Sequence, residues 1–149
     1  MKYKSHILKL AIFATGLSGI VAEYILSTLA TYFLGNSTVQ WTMIISTMLF
    51  SMGLGARLSK LFNNNLLRTF IFLEFLLSVL AAYSSMIAYT AAVYTTSVGI
   101  IIYAQSIAIG ILIGMEIPLV MRLNKEFESL RVNVSSILEK DYYCSLLGG

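Results

Sequence analysis

The residues of this sequence best suited to chemistry are three glutamates that lie within long apolar runs, Glu23, Glu74 and Glu116. An ionised carboxylate at the centre of a membrane costs about 2.5–3.5 kcal/mol or more, so each needs a proton, a cationic neighbour or a water-filled cavity. Such groups bind cations, carry protons or join helices by hydrogen bonds. We therefore treat all three as candidate intramembrane functional or structural residues.

Glu74 and Glu116 share a predicted depth. Glu74 follows Arg68 by six residues and Glu116 precedes Arg122 by six, which places both carboxylates about 9 Å from these charges along a helix. Two interpretations follow. The carboxylates pair with Arg57 or Arg122, whose long side chains reach into the membrane, or they form an inward-facing acidic vestibule that attracts a cation such as a polyamine.

Glu23 lies deeper than the other two. It follows Lys9 by 14 residues, about 21 Å of helix, which places it near the midplane. One interpretation is a neutral, protonated carboxyl group that is hydrogen-bonded to Gln105 or Tyr103. The alternatives are a proton-coupled or cation-coupled role and a contact that specifies how the helices pack.

Small residues and one proline mark the last apolar run. Gly110 and Gly114 have the spacing that lets two helices approach closely, either within the chain or in a dimer. Pro118 removes the hydrogen bond that the Gly114 carbonyl would accept, two residues from Glu116. It therefore predicts either a kink beside a site or the end of the helix.

Composition indicates which elements position these residues. Of the 149 residues, 58% are hydrophobic and 11% charged, and the mean hydropathy is +0.82, which excludes most soluble folds. Runs at 10–34, 41–56, 69–94 and 98–121 can each form a membrane helix, the second continuing to residue 62. The links at 35–40, 63–68 and 95–97 are short. The sequence therefore predicts an all-α integral membrane protein with four antiparallel transmembrane helices in residues 10–121, consecutive helices being neighbours.

The basic residues predict the orientation. All of them fall at the two chain ends or between the second and third runs: Lys2, Lys4, Lys9, Arg57, Lys60, Arg68, Arg122, Lys125, Arg131 and Lys140. By the positive-inside rule, both termini are cytoplasmic. Residues 1–9 then form a cytoplasmic N-terminus, 122–141 a cytoplasmic amphipathic segment, and 142–149 the start of an incomplete fifth apolar segment.

Several function classes lack a sequence signature. The single cysteine and single histidine make no metal motif, no Ser/His/Asp arrangement can be traced, and no glycine-rich phosphate loop is present. We therefore assign no catalytic, cofactor-binding or metal-binding residue in this chain. The lipid bilayer is the expected partner, and nucleic acid is not.

A set of short motifs resembles one family. They are Gly16-Leu17-Ser18-Gly19 with Glu23, Met52-Gly53-Leu54-Gly55-Ala56, Leu73-Glu74, Gly114-Met115-Glu116-Ile117-Pro118-Leu119 with Arg122, and Asp141-Tyr142-Tyr143 with Leu146, Leu147 and Gly148. In this order they resemble the membrane region of spermidine synthase-like proteins of the bacterial inner membrane. That resemblance implies a Rossmann-like aminopropyltransferase domain after the helices, in which a putrescine amine attacks the aminopropyl group of decarboxylated S-adenosylmethionine. Cys144 departs from the pattern, which favours glycine there.

The resemblance sets the functional expectation. We expect a chain that is truncated before the catalytic domain and serves as an anchor or polyamine-handling module. It would hold no cofactor, since decarboxylated S-adenosylmethionine is a substrate implied for the parent family. Polyamines, a second copy and the missing C-terminal part are candidate partners. The alternative is a small four-helix, proton-coupled exporter of cationic compounds, in which Glu23 would be the coupling residue.

Overall fold

The computed structural model describes residues 2–62, 65–95 and 97–124, and single positions at 135, 139 and 143. Over these residues the structure is all-helical, with no strand. Its long helices are α1 (Lys2–Leu34), α2 (Ser37–Leu58), α3 (Leu66–Tyr94) and α4 (Val98–Asn124), and a 3₁₀ turn (Ser59–Leu61) follows α2. The prediction of four apolar helices is confirmed. The predicted segments 122–141 and 142–149 lie almost entirely outside the described residues.

Each helix is long enough and apolar enough to cross a membrane, judged by length and composition. The shortest apolar stretch, Phe13–Leu34, has 22 residues, or about 33 Å at 1.5 Å per residue. This exceeds the roughly 30 Å of hydrocarbon in a bilayer. Pro118 does not end α4, which continues to Asn124.

The link between α1 and α2 is much shorter than predicted. Gly35 ends α1 in the left-handed region, with φ of 75°, and donates its N–H to the Thr31 carbonyl at 2.9 Å. Asn36, with φ of 50°, also takes this conformation, which asparagine tolerates better than most residues. These two residues alone reverse the direction of the chain, so α2 begins at Ser37 rather than at residue 41.

Asn65 has the same role before α3. Its φ is 55° and its carbonyl accepts the Thr69 N–H at 3.1 Å. The helix therefore begins at Leu66, three residues before the predicted start at 69. In the first link the sequence predicted a loop for Ser37, Thr38 and Gln40, which instead lie in the first turn of α2.

Helix α4 lies at the centre of the bundle. It packs against each of the other helices, and half of its apolar stretch is buried. Among the described residues α2 and α3 make no close contact, so the expectation that all consecutive helices are neighbours is wrong for this pair. Glycines on α4 let α2 pack closely against α4 instead of against α3. The largest fully buried side chains include Leu26, Ile44, Met48, Ile102, Ile109 and Leu119.

The outer surface of the bundle is apolar. Phe50 on α2 is 70% exposed, and Phe72 and Phe75 on α3 are 63% and 68% exposed. Hydrophobic side chains thus cover the outside as well as the inside, as in a bundle surrounded by lipid rather than by water.

Candidate functional site

A cleft of about 280 Å³ opens between α1 and α3 and contains one of the three candidate glutamates. Glu74 is its charged residue, and hydroxyl groups are provided by Thr15, Ser18 and Ser78. The remaining lining residues are Ala14, Leu77 and Ala81. The cleft exists because small side chains face each other across α1 and α3, so the two backbones leave space that leucines would fill.

Glu74 is held by a hydrogen bond across the cleft. The Thr15 hydroxyl donates to Glu74 Oε1 at 2.6 Å and also lies 2.9 Å from the Ala11 carbonyl oxygen. A hydroxyl has one hydrogen to donate, so the carboxylate shares it with the helix backbone. In the described part of the chain Glu74 makes no other hydrogen bond or ion pair. Among these residues Thr15 is therefore the one hydrogen-bond donor to the carboxylate.

Glu116 lies at the same level of the bundle as Glu74. Gln105 reaches the Ser84 carbonyl, and Phe70 packs beside Val120. Interpolation between these two contacts places position 74 of α3 beside positions 115–116 of α4. However, Glu116 is 5% exposed and is not among the residues that line the cleft. The two glutamates thus lie at one level, but Glu116 does not line the cleft that contains Glu74.

The arginines proposed to neutralise Glu74 are directed elsewhere. Arg122 donates Nη1 to the carbonyl oxygens of Ser59 and Phe62, each at 3.2 Å, which joins the end of α4 to the end of α2. Arg57 is exposed. The expected ion pair of Glu74 with Arg57 or Arg122 is therefore absent, and Thr15 takes its place.

Glu23 is partly buried on α1, and its predicted hydrogen-bond partners are engaged with other groups. Tyr103 donates its hydroxyl to Gln40 Oε1 at 2.6 Å, and Gln105 Nε2 lies 3.5 Å from the Ser84 carbonyl. No hydrogen bond from Glu23 to either side chain is present in the part of the chain that the structure describes. The predicted contact with Gln105 or Tyr103 is thus wrong in this conformation.

Gly110 and Gly114 pack α4 against α2 of the same chain. A β-carbon at Gly114 would lie 2.1 Å from the Met52 carbonyl oxygen, and one at Gly110 would lie 2.8 Å from that of Met48. Gly55 completes the contact from the side of α2, since a β-carbon there would lie 2.1 Å from the Ile111 carbonyl oxygen. We call these three glycines the α2–α4 seam. Their surface is occupied within the chain, so it is not exposed for a dimer.

The sequence reading did not single out Thr15 or Ser78 as site residues. The signal was nonetheless present: Thr15 and Ser18 lie three residues apart on α1, and Glu74 and Ser78 four apart on α3, so each pair shares a helix face. Over the described positions there is no group of three metal-ligating side chains.

Comparison with known proteins identifies relatives along nearly the whole chain. Polyamine aminopropyltransferase 2 of Aquifex aeolicus is 49% identical over 143 residues, which are 95% of this chain and 29% of the relative. The chain is homologous to the N-terminal part of polyamine aminopropyltransferases. The polyamine aminopropyltransferases of Leptospira interrogans and Oceanobacillus iheyensis are 36% and 34% identical over 87% and 88% of this chain, each covered to 26% of its length.

The resemblance inferred from short motifs is thereby confirmed. The chain spans between a quarter and a third of the length of these aminopropyltransferases. No family model matches the sequence, and no solved structure matches it.

Proposed function

We propose that this chain is the membrane-embedded N-terminal module of a polyamine aminopropyltransferase-like protein, and that it anchors the protein and handles polyamines. The observation that carries this proposal is the 49% identity over 95% of the chain to a polyamine aminopropyltransferase. The module would take part in polyamine biosynthesis through the parent protein, rather than perform aminopropyl transfer by itself.

The proposed location is the bacterial inner membrane, with alternating helices and both termini in the cytoplasm. Three features support it: the apolar helices, the apolar outer surface, and the confinement of all lysines and arginines to one predicted side. Tyr32, Trp41 and Tyr94 lie near the helix ends that are remote from the lysines and arginines. Aromatic residues at such positions favour the membrane interface.

Cysteine accessibility tests the orientation. In a Cys144→Ser background, Thr38→Cys places a thiol in the first turn of α2 and Lys60→Cys places one in the 3₁₀ turn that follows α2. Both positions are exposed in the structure. We expect a membrane-impermeant maleimide to label Thr38→Cys in intact spheroplasts. It should label Lys60→Cys only after the membrane has been permeabilised. The reverse pattern, or extraction of the protein from membranes by alkaline carbonate, would contradict the proposed location.

An aminopropyl-transfer assay tests whether the chain performs the transfer reaction by itself. The purified chain in detergent is incubated with putrescine and decarboxylated S-adenosylmethionine, and spermidine is measured. We expect none above the background without protein, because the sequence contains no glycine-rich loop for a nucleoside cofactor. Spermidine formation would refute this proposal, and resistance to cationic dyes that is lost in Glu23→Gln would favour the exporter alternative.

A further inference from the structure

We propose that the cleft between α1 and α3 binds a primary alkylammonium group, with Glu74 as its counter-ion. This inference deepens the proposed function, since it assigns a ligand class and residues to polyamine handling, and it rests on that function for the choice of diamine probe. The hydroxyls of Ser18 and Ser78 would serve as further acceptors. Thr15 would position the Glu74 carboxylate.

The hydrogen-bonding capacity of the cleft matches an ammonium group. An ionised carboxylate has about four acceptor sites, and Glu74 receives one hydrogen bond from the described residues, that of Thr15. Ser18 donates its own hydroxyl hydrogen to the Thr15 carbonyl at 2.8 Å, which leaves its oxygen lone pairs as acceptors. The cleft therefore has an excess of acceptors and one negative charge, whereas an ammonium group has three donors, no acceptor and one positive charge.

The shape of the cleft favours an alkyl chain behind that ammonium group. From Glu74 the lining continues along α3 to Leu77 and Ala81, seven residues or about 10 Å further, with Ala14 on the opposite helix. The volume of about 280 Å³ is near the lower end of ligand pockets, which span roughly 300–1,000 Å³. A divalent metal ion would need more oxygen ligands than one carboxylate and a few hydroxyls provide.

Equilibrium binding of radiolabelled putrescine to the full chain in detergent tests this inference. We expect saturable binding that n-butylamine competes for and 1-butanol does not, because 1-butanol has the same chain length without the charge. Glu74→Gln keeps the size of the side chain and should lower affinity at least tenfold. Glu139→Gln makes the same chemical change at an exposed position outside the cleft and should leave affinity unchanged.

A second variant protects the test against misfolding of Glu74→Gln. Ser78→Leu fills the cleft but keeps both Thr15 and Glu74, and it should also abolish binding while helicity by circular dichroism stays at the wild-type value. Equal affinity in the wild type and Glu74→Gln, unaltered binding in Ser78→Leu, or no binding by the folded wild-type chain would each overturn the inference. Competition by Na⁺ at the same concentration as n-butylamine would show an unselective cation site and would also overturn it. None of these results bears on the membrane orientation, so failure here is distinguishable from failure of the proposed location.

Discussion

Gly55→Ala should destabilise the bundle, whereas Gly53→Ala, two residues away on the same helix, should not. A β-carbon at Gly55 would lie 2.1 Å from the Ile111 carbonyl oxygen and 2.9 Å from its carbon. Both atoms belong to the backbone of α4, so no side-chain rotation relieves the clash. At Gly53 a β-carbon meets nothing within 4 Å. One methyl group thus tests how closely α2 and α4 approach.

The geometry sets the size of the effect. Ordinary van der Waals contact begins at 3.4 Å, so the 2.1 Å approach requires α2 and α4 to separate locally by about 1.3 Å. Overpacking of this kind costs about 1–3 kcal/mol. Replacing glycine by alanine within a helix also stabilises it by roughly 0.5–1 kcal/mol, and both variants share that gain. The difference between the two free energies of unfolding therefore isolates the overpacking cost, and we expect Gly55→Ala to be less stable by about 1–3 kcal/mol.

Titration with SDS in mixed micelles provides the measurement. The single tryptophan, Trp41, lies on α2 with its ring 5.5 Å from that of Tyr24 on α1, so its fluorescence reports separation of these helices, and circular dichroism reports helicity. The outcome that refutes the reasoning is equal stability of the two alanine variants. That result would mean that α2 and α4 lie farther apart than the structure places them.

The same titration tests three hydrogen bonds. Thr15→Val should cost about 0.6 kcal/mol, the average for hydrogen bonds between membrane helices, because it removes the donor to Glu74; a stabilised variant would contradict this. Tyr103→Phe should lower the free energy of unfolding by a similar amount, because it removes the hydrogen bond to Gln40 at 2.6 Å. In a Gln40→Leu background the same change should lower it no further, and additive losses in the double variant would contradict the pairing. Arg122→Met should destabilise the bundle more than Arg122→Lys, because lysine keeps a donor for the two carbonyl groups at the end of α2 whereas methionine has none; equal losses would contradict this.

The helices were predictable because their signals are strong and local. Long apolar runs punctuated by asparagine, glycine and basic residues define four helices in the sequence and in the structure alike. The ends were less accurate. Residues 37–40 are polar enough to suggest a loop, but the left-handed conformations of Gly35 and Asn36 complete the reversal in two residues, so these polar residues enter α2.

The arrangement of the helices depended on contacts that no single helix encodes. Gly110 and Gly114 indicated a close approach, but the spacing does not identify the opposing helix. That α2 seats there, and thereby separates from α3, follows from how Gly55 and the backbones at Met52 and Ile111 fit together. The sequence placed Glu74 at the correct level relative to Glu116 because depth follows from residue number. Its partner, Thr15, is 59 positions away and depends on which faces of α1 and α3 meet.

The bundle therefore combines one tight interface with one open one. The seam joins α2 to α4 by direct backbone contact, whereas α1 and α3 leave a cleft whose one charged lining residue is Glu74. A ligand entering that cleft displaces no backbone contact of the seam, so stability and binding should respond to different substitutions. We expect Gly55→Ala to lower stability with unchanged putrescine affinity, and Glu74→Gln to lower affinity with little change in stability. If Gly55→Ala weakened binding as much as Glu74→Gln does, the cleft would not be an independent site, and the ligand would instead be sensing the integrity of the whole bundle.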